Sequence, residues 1–188
     1  VAPPKVGRTV TLASFDPRTM SPADVRFRIA AESLFTVIDS AHGLPRDIVR
    51  AVLPARDGTV WIGTDAGGLA RLKDGVLSVL DTRHGLANDV VYALHEDGEG
   101  LLWIGTAGGL SLLRRDGSLR SVGPSDGLPD EKVFQLLEEG EDGLWISSNK
   151  GIFRLSRRDV LARVEGRRGP FTALYGNNSG GVAILNAD

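Results

Sequence analysis

The sequence contains one pattern three times, and the copies are 42 residues apart. Each copy begins with Gly-Leu, at Gly43, Gly85 and Gly127, and continues to a tryptophan in a short β-prone run. The chain has 3 tryptophans, at positions 61, 103 and 145, and they keep the same spacing. A fixed period of about 20–50 residues is typical of repeat architectures. This period constrains the fold more than any single motif does.

Each copy is predicted to form four short strands joined by tight turns. In the first copy the β-prone runs span residues 48–53, 59–63, 69–72 and 76–80. Asp-Gly pairs separate several of these runs, and they favour hairpins because both residues tolerate positive φ. Antiparallel four-stranded units of this length are typical of β-propeller blades. We therefore predict an all-β protein, a β-propeller of four-stranded antiparallel blades of about 42 residues.

The repeat divides the chain into five segments of a single propeller domain or fragment. Residues 1–42 are predicted to be a degenerate blade without the tryptophan, and the last segment is predicted to be a partial blade. The complete blades are predicted at 43–84, 85–126 and 127–167, and the partial blade at 168–188.

Charge and composition exclude several classes of protein. The 22 basic and 24 acidic residues nearly balance, so no overall basic field favours nucleic acid. The absence of cysteine excludes disulfides and thiolate metal sites. No apolar run approaches the roughly 20 residues that span a bilayer, so we expect no membrane span in this chain. Arginines cluster at 154–168, and we expect a solvated outer strand there.

The repeated pattern resembles the two-component regulator propeller repeat. The resemblance rests on Gly-Leu-Pro, then Asp-Gly-x-Leu-Trp-Ile-Gly-Thr, and it covers about two-thirds of the chain. The matching copies run from Gly43 to Thr64, from Gly85 to Thr106 and from Gly127 to Ser148. The third copy departs from the pattern because it has Ser147-Ser148 in place of Gly-Thr.

The resemblance implies a seven-bladed propeller in the extracytoplasmic sensor half of a bacterial membrane receptor. The cytoplasmic outputs of such receptors are histidine kinases, hybrid kinases or diguanylate cyclases. Seven blades at this period need roughly 290 residues, and the chain has 188. We therefore expect a fragment or a ring completed by several chains, because an open stack would expose its terminal sheets. A small five-bladed ring closed by the two ends of the chain is the alternative.

The connections that lead into the inner strands lie on one face of a propeller. The turns between the second and third strands lie on the same face. Polar residues that converge there are the default candidates for ligand contact. The sequence leaves open that each of them only caps a turn and is solvated. The candidate ligand-binding residues are Arg46, Asp47, Thr64, Asp65, Asn88, Asp89, Thr106, Asp130, Glu131, Asn149 and Lys150.

Histidines and acidic runs give no catalytic or metal pattern. His42 and His84 occupy equivalent positions, where the third copy has Asp126, so we expect them to form hydrogen bonds at the corners. His95 has no second ligand at metal spacing. The runs 96–99 and 138–142 are expected to be solvated turns. We predict no catalytic residue, no metal and no cofactor.

The resulting hypothesis is a non-catalytic ligand-sensing or protein-interaction module of a two-component-type membrane sensor. The resemblance implies a periplasmic or otherwise extracytoplasmic location. The partner is then an unknown extracytoplasmic ligand or a neighbouring sensor domain, and a homodimer is one open arrangement. A structural assembly scaffold without a small-molecule ligand is the first alternative. A propeller lyase or hydrolase is the second, weakened because the face positions vary between copies and include no convergent histidine.

Overall fold

A computed structural model of the chain describes residues 37–167, 171–176 and 182–187. The degenerate blade predicted at 1–42 lies almost entirely outside these residues. The described strands form three antiparallel sheets. No helix in the described part of the chain is long and apolar enough to cross a membrane.

The first and second sheets each contain four strands in chain order. The first sheet consists of β1 (Val49–Pro54), β2 (Val60–Thr64), β3 (Leu69–Lys73) and β4 (Val76–Leu80). The second sheet consists of β5 (Val91–Glu96), β6 (Leu102–Thr106), β7 (Gly109–Leu113) and β8 (Leu119–Val122). These two sheets confirm the predicted four-stranded antiparallel blades.

The third sheet has five described strands and an inserted helix. Its elements are β9 (Gln135–Glu139), β10 (Gly143–Ser148), β11 (Gly151–Ser156), α1 (Arg157–Val164), β12 (Phe171–Gly176) and β13 (Val182–Ala187). The strand order is β9-β10-β11-β12-β13, so β12 takes the fourth-strand position after α1. Residues 168–188 were predicted to be a partial blade of their own, but the described strands there, β12 and β13, extend this sheet.

The outer strand predicted at 154–168 is wrong beyond Ser156. The Ser156 side chain accepts a hydrogen bond from the Asp159 N–H, which is the N-cap interaction that starts a helix. Val160 is fully buried, and Leu161 and Val164 pack against the same core cluster. The apolar face of α1 is therefore stabilised by packing, which the local sequence pattern does not reveal.

A repeated corner precedes the first strand of each sheet. Each corner contains a 3₁₀ turn, at Ser40–His42, Thr82–His84 and Pro124–Asp126. A glycine in the left-handed region ends each turn, with φ of 96°, 104° and 99° at positions 43, 85 and 127. The leucine that follows each glycine is buried. The Gly-Leu pair of the repeat therefore turns the chain and anchors it in the core.

The corner roles predicted for the histidines are confirmed. His42 Nδ1 lies 2.7 Å from Asp39 Oδ1, and His84 Nδ1 lies 2.8 Å from Asp81 Oδ1. In the third copy, the Asp126 carboxylate accepts a hydrogen bond from a backbone N–H of its own corner at 2.9 Å. The same position therefore closes the corner through a histidine in the first two copies and through an aspartate in the third.

The sheets converge at their first strands, where two glycines allow close approach. The contacts between sheets are made mainly by β1 with β5 and by β5 with β9. A Cβ placed on Gly63 would lie 2.6 Å from Val91 Cγ1, and one on Gly105 would lie 2.7 Å from Val133 Cγ1. Each glycine thus forms a notch that receives a valine of the next sheet. The third copy carries Ser147 at this position.

Trp103 is fully buried between the second and third sheets, as predicted for the repeated tryptophan. Its Nε1 donates to Asp97 Oδ2 at 2.9 Å. The Asp97 carboxylate also accepts from the backbone N–H groups of Glu99 and Leu101. Asp97 is 1% exposed, so the prediction that the run 96–99 is only a solvated turn is wrong at this residue.

Arg157 at the start of α1 completes this cluster from the third sheet. Its Nη2 lies 2.6 Å from Asp97 Oδ2, and its Nη1 lies 2.7 Å from Glu138 Oε1. The guanidinium also lies over the Trp103 ring, with Cζ 5.7 Å from the centroid. An ion pair and a cation–π contact therefore join the helix to the neighbouring sheet.

Truncating Trp103 should be more destabilising than truncating Trp61. We expect Trp103→Ala to lower the free energy of unfolding by about 3–5 kcal/mol, because a large buried side chain is replaced by a cavity. Trp61 is partly buried and lacks an equivalent of Asp97, because residue 55 is alanine. Trp61→Ala is therefore the matched control and should cost less. Chemical denaturation of both variants measures this, and equal losses would contradict the assignment of Trp103 to the core.

Acid should selectively remove the contribution of Asp97. Burial disfavours the charged form, but hydrogen bonds from Trp103 and two backbone N–H groups, with the Arg157 charge, outweigh it and lower the pKa of Asp97. An aspartate with a lowered folded-state pKa stabilises the fold above its unfolded pKa of about 3.9. That stabilisation is lost as pH falls through the folded-state value.

We therefore expect the difference in unfolding free energy between wild type and Asp97→Asn to shrink between about pH 5 and pH 2. Asp74→Asn, at an exposed turn position, is the control and should show no comparable change. Denaturant titrations at a series of pH values measure both differences. A pH-independent difference for Asp97→Asn would show that the carboxylate is not stabilised in its ionised form.

Candidate ligand-binding face

At one end of each sheet, the segment entering the first strand lies beside the turn between the second and third strands. The Asp65 N–H donates to the Ile48 carbonyl at 2.9 Å, and the Ala107 N–H donates to the Val90 carbonyl at 3.1 Å. In the third sheet, Lys150 Nζ donates to the Pro129 carbonyl at 2.9 Å. We call this end of the three sheets the corner face. All eleven predicted ligand-binding residues belong to its segments.

Neighbouring sheets are also joined at the corner face. The Gly68 N–H donates to the Asp89 carbonyl at 2.8 Å, which links the first sheet to the second. The Val133 N–H donates to the Thr106 carbonyl at 3.0 Å, which links the second sheet to the third. The corner face is therefore one continuous surface across the described sheets.

Two of the predicted residues are turned inward. Thr64 and Thr106 are both 0% exposed. Their hydroxyls donate to the carbonyls of Gly68 and Gly109, at 2.9 and 2.8 Å. These threonines therefore lock the turns of the face and present no side-chain surface to solvent.

Two acidic residues of the face cap the 3₁₀ turns of the corners. Asp47 Oδ1 accepts from the Ser40 N–H at 2.6 Å, and Asp89 Oδ1 accepts from the Thr82 N–H at 2.7 Å. Glu131 is the equivalent residue of the third copy, but the turn there begins with Pro124, which has no N–H. Glu131 is exposed, and its corner has no N–H at the position that would donate this hydrogen bond.

Asp130 holds the third corner in a different way. It is 5% exposed, and it accepts hydrogen bonds from the backbone N–H groups of Lys132 and Lys150 at 3.3 and 3.1 Å. Burial opposes its ionisation, but these bonds and the Ser148 hydroxyl outweigh burial and lower the pKa of Asp130. The equivalent Asn88 accepts from the Val90 N–H at 2.9 Å. Both side chains shape the backbone of the face.

The remaining candidates leave polar groups at the surface. Arg46, Asn149 and Lys150 are exposed. Asp65 is partly buried and forms an ion pair with Arg50, with 3.1 Å between Oδ2 and Nη2. The exposed part of the corner face therefore carries charges of both signs.

A row of side chains at the start of the inner strands was not predicted from the sequence. Arg50 Cζ lies 5.3 Å from the centroid of the Tyr92 ring, and that ring meets Phe134 edge-on at 5.1 Å between centroids. These residues, which we call the inner row, are spaced by 42 positions and come one from each sheet. That spacing was the available signal, but the residue types differ too much to form a motif.

Backbone irregularities orient the inner row. The register between β1 and β2 shifts between Val49 and Ala51, so that Arg50 is the extra residue of a bulge. The register between β5 and β6 shifts in the same way around Tyr92. Bulges redirect side chains and are common beside binding sites. The inner row therefore adds an aromatic surface to the charged corner face.

The described histidines and acids do not form a metal cluster. Within them, no group of three His, Asp or Glu side chains is arranged to hold a metal ion. His42 and His84 bind corner aspartates, and His95 Nε2 lies 3.0 Å from Glu138 Oε2 between the second and third sheets. All three histidines thus have structural partners away from the inner row.

The repeat pattern matches one known family. The family model described as "Two component regulator propeller" matches residues 43–66 and 85–108. These are the first two copies of the pattern, from each Gly-Leu corner to the turn after the second strand. No curated protein sequence matches the chain.

Solved structures share the fold. An extracellular domain assigned to a hybrid two-component system of B. thetaiotaomicron is 23% identical, with a TM-score of 0.59 over 64% of this chain and 17% of that chain. Another, assigned to a one-component system of the same organism, is 20% identical, with a TM-score of 0.54 over 75% and 22%. The chain thus spans about a fifth of these relatives. At these identities the likeness shows the propeller fold alone.

A lyase is also similar at a lower level. Virginiamycin B lyase from Staphylococcus aureus is 16% identical, with a TM-score of 0.47 over 73% of this chain and 55% of that chain. A likeness of this size carries no argument about chemistry.

The acidic caps of the corner face should contribute to stability where they have an N–H to accept. Asp89→Ala removes the bond to the Thr82 N–H and should lower the free energy of unfolding by about 1 kcal/mol. Glu131→Ala is the matched control and should change stability little, because Pro124 offers no donor. Thermal and denaturant unfolding of both variants measure the difference. Equal effects would mean that the cap hydrogen bond is not the source of stability.

Proposed function

We propose that the chain is a sensor propeller module of a bacterial membrane receptor. The match to residues 43–66 and 85–108 is the observation that carries the proposal. The two similar extracellular domains support an extracytoplasmic, periplasmic location for the module. The proposed role is recognition without catalysis.

The proposed recognition surface is the corner face together with the inner row. The exposed polar side chains of Arg46, Asn149 and Lys150 belong to the corner face, and the rings of Tyr92 and Phe134 belong to the inner row. A few placed polar groups around an aromatic surface are typical of small-molecule sites. Because hydrogen bonds cross this face from sheet to sheet, a ligand there contacts a surface whose geometry depends on the angles between sheets. A change in those angles is the proposed signal to a neighbouring domain.

The contacts of the histidines favour recognition over the lyase or hydrolase alternative. Each histidine side chain pairs with a carboxylate that belongs to a corner or to a sheet interface. A general base must reach the proton that it abstracts, which requires a histidine or acid free to face the substrate. The inner row instead offers two aromatic rings and an arginine that is already paired.

A ligand screen with an inner-row variant tests the proposal. We expect at least one compound in a panel of mono- and oligosaccharides, amino acids and organic acids to raise the melting temperature by several degrees. At about 100 times Kd, binding adds about 2.7 kcal/mol to stability. Tyr92→Ala should abolish the rise by removing the central ring of the inner row, while Asp89→Ala should weaken it less.

Val76→Ala is the control variant because Val76 is 68% exposed on an outer strand, away from the corner face. It should keep the full ligand-induced rise. A rise that persists in Tyr92→Ala would place binding elsewhere on the molecule. A panel without any hit would instead favour the assembly scaffold.

A further inference from the structure

Helix α1 fills the space between the outer parts of the second and third sheets. It packs on β8 of the second sheet and on β11 and β12 of the third. Its Val160 is buried in the cluster that contains Trp103, and its Arg157 pairs with Asp97. Neighbouring sheets diverge away from their first strands, so a wedge of space opens there. In this pair of sheets the wedge is occupied by a helix of the chain itself.

The equivalent wedge between the first and second sheets contains no helix of the described residues, and we call it the open wedge. It is a cavity of about 790 Å³ at the end of the sheets opposite the corner face. Its walls include Trp61, Arg71 and Leu80 of the first sheet, and Leu102, Leu113 and Arg115 of the second. The β7–β8 connection is a tight turn, in which the Gly117 N–H donates to the Arg114 carbonyl, and it does not contain a helix.

The two wedges differ in the charges that the receiving sheet presents, although acids as well as arginines line the open wedge. In the filled wedge, the second sheet supplies an acid, Asp97, and α1 supplies a base, Arg157. In the open wedge, residue 55 is alanine where the second sheet has Asp97. Arg71 stands opposite Trp61 where Leu112 stands opposite Trp103. The first sheet therefore presents a base, Arg71, to the open wedge, whereas the second sheet presents an acid, Asp97, to the filled wedge.

Two arginines of the open wedge have no acidic partner among the described residues, although Asp116 also lines the wedge. Asp57 pairs with Lys73, and Glu96 accepts the Arg56 N–H. Among the described residues, Arg71 and Arg115 have neither an ion pair nor a hydrogen bond. Arg71 only lies over the Trp61 ring, with Cζ 5.9 Å from the centroid. An occupant that brings a carboxylate therefore gains an ion pair with a cation already beside an aromatic surface.

We propose that the open wedge binds a short amphipathic helix of a partner protein, with a glutamate or aspartate one turn before its apolar residues. The apolar residues pack against Trp61, Leu80 and Leu113, as Val160 and its neighbours pack in the filled wedge. The carboxylate pairs with Arg71 and Arg115. This site is separate from the corner face and does not depend on the function proposed for that face.

A peptide derived from α1 is the probe for this site. It comprises residues 156–166 with Arg157→Glu, closed by a lactam between lysine at position 158 and aspartate at position 162, because so short a helix is marginal alone. The matched peptide keeps arginine at 157. Titration calorimetry with the full 188-residue chain measures affinity, and amide NMR shifts locate the site. We expect the glutamate peptide to bind at least tenfold more tightly than the arginine peptide.

Charge reversal in the protein should reverse this preference. Arg71→Glu should weaken the glutamate peptide at least tenfold and favour the arginine peptide, and Arg115→Glu is a second variant at an exposed position. Arg120→Glu, exposed on β8, is the control and should leave both affinities unchanged. Circular dichroism verifies that each variant is folded.

Three results would overturn the proposal. The first is absence of binding by either peptide, and the second is binding that ignores the charge at position 71. The third is a tetraglutamate peptide that binds as tightly as the helical probe, which would show that the wedge attracts any anion.

Discussion

One buried carboxylate, that of Asp97, is central to the interface between the second and third sheets. Asp97 accepts hydrogen bonds from Trp103 and two backbone N–H groups, and it pairs with Arg157 across the sheet interface. A buried charge is tolerated only where it is paired and hydrogen-bonded. The tryptophan, the hairpin turn and the helix are therefore mutually dependent. Without the carboxylate, the tryptophan N–H and the arginine would both lose a partner inside the structure.

The 42-residue period was sufficient to predict the blades because the features that repeat with it determine local structure. Strand alternation and turn residues lie within a few positions of each other, so the first two sheets follow from the sequence. The burial of Asp97 and the start of α1 at Arg157 depend on contacts between residues 60 positions apart. An acidic run and an arginine cluster have the composition of solvated surface. Only the tertiary fold turns Asp97 and Arg157 into an interface.

The location of the candidate face could be predicted from the sequence, but the roles of most of its side chains could not. The corner and turn segments do come together, but Thr64 is buried and Asp89 caps a corner. The inner row escaped prediction because a bulge, which aims Arg50 and Tyr92, leaves no residue signature of its own. Spacing identified equivalent positions. It could not show which of them point toward solvent.

The glycine notches set the distance between neighbouring sheets of the described structure. Val91 enters the space at Gly63 and Val133 enters the space at Gly105, so the first two steps between sheets are equal in kind. At the third sheet that space is taken by the side chain of Ser147. A sheet that follows with a valine at the matching position would therefore stand farther away.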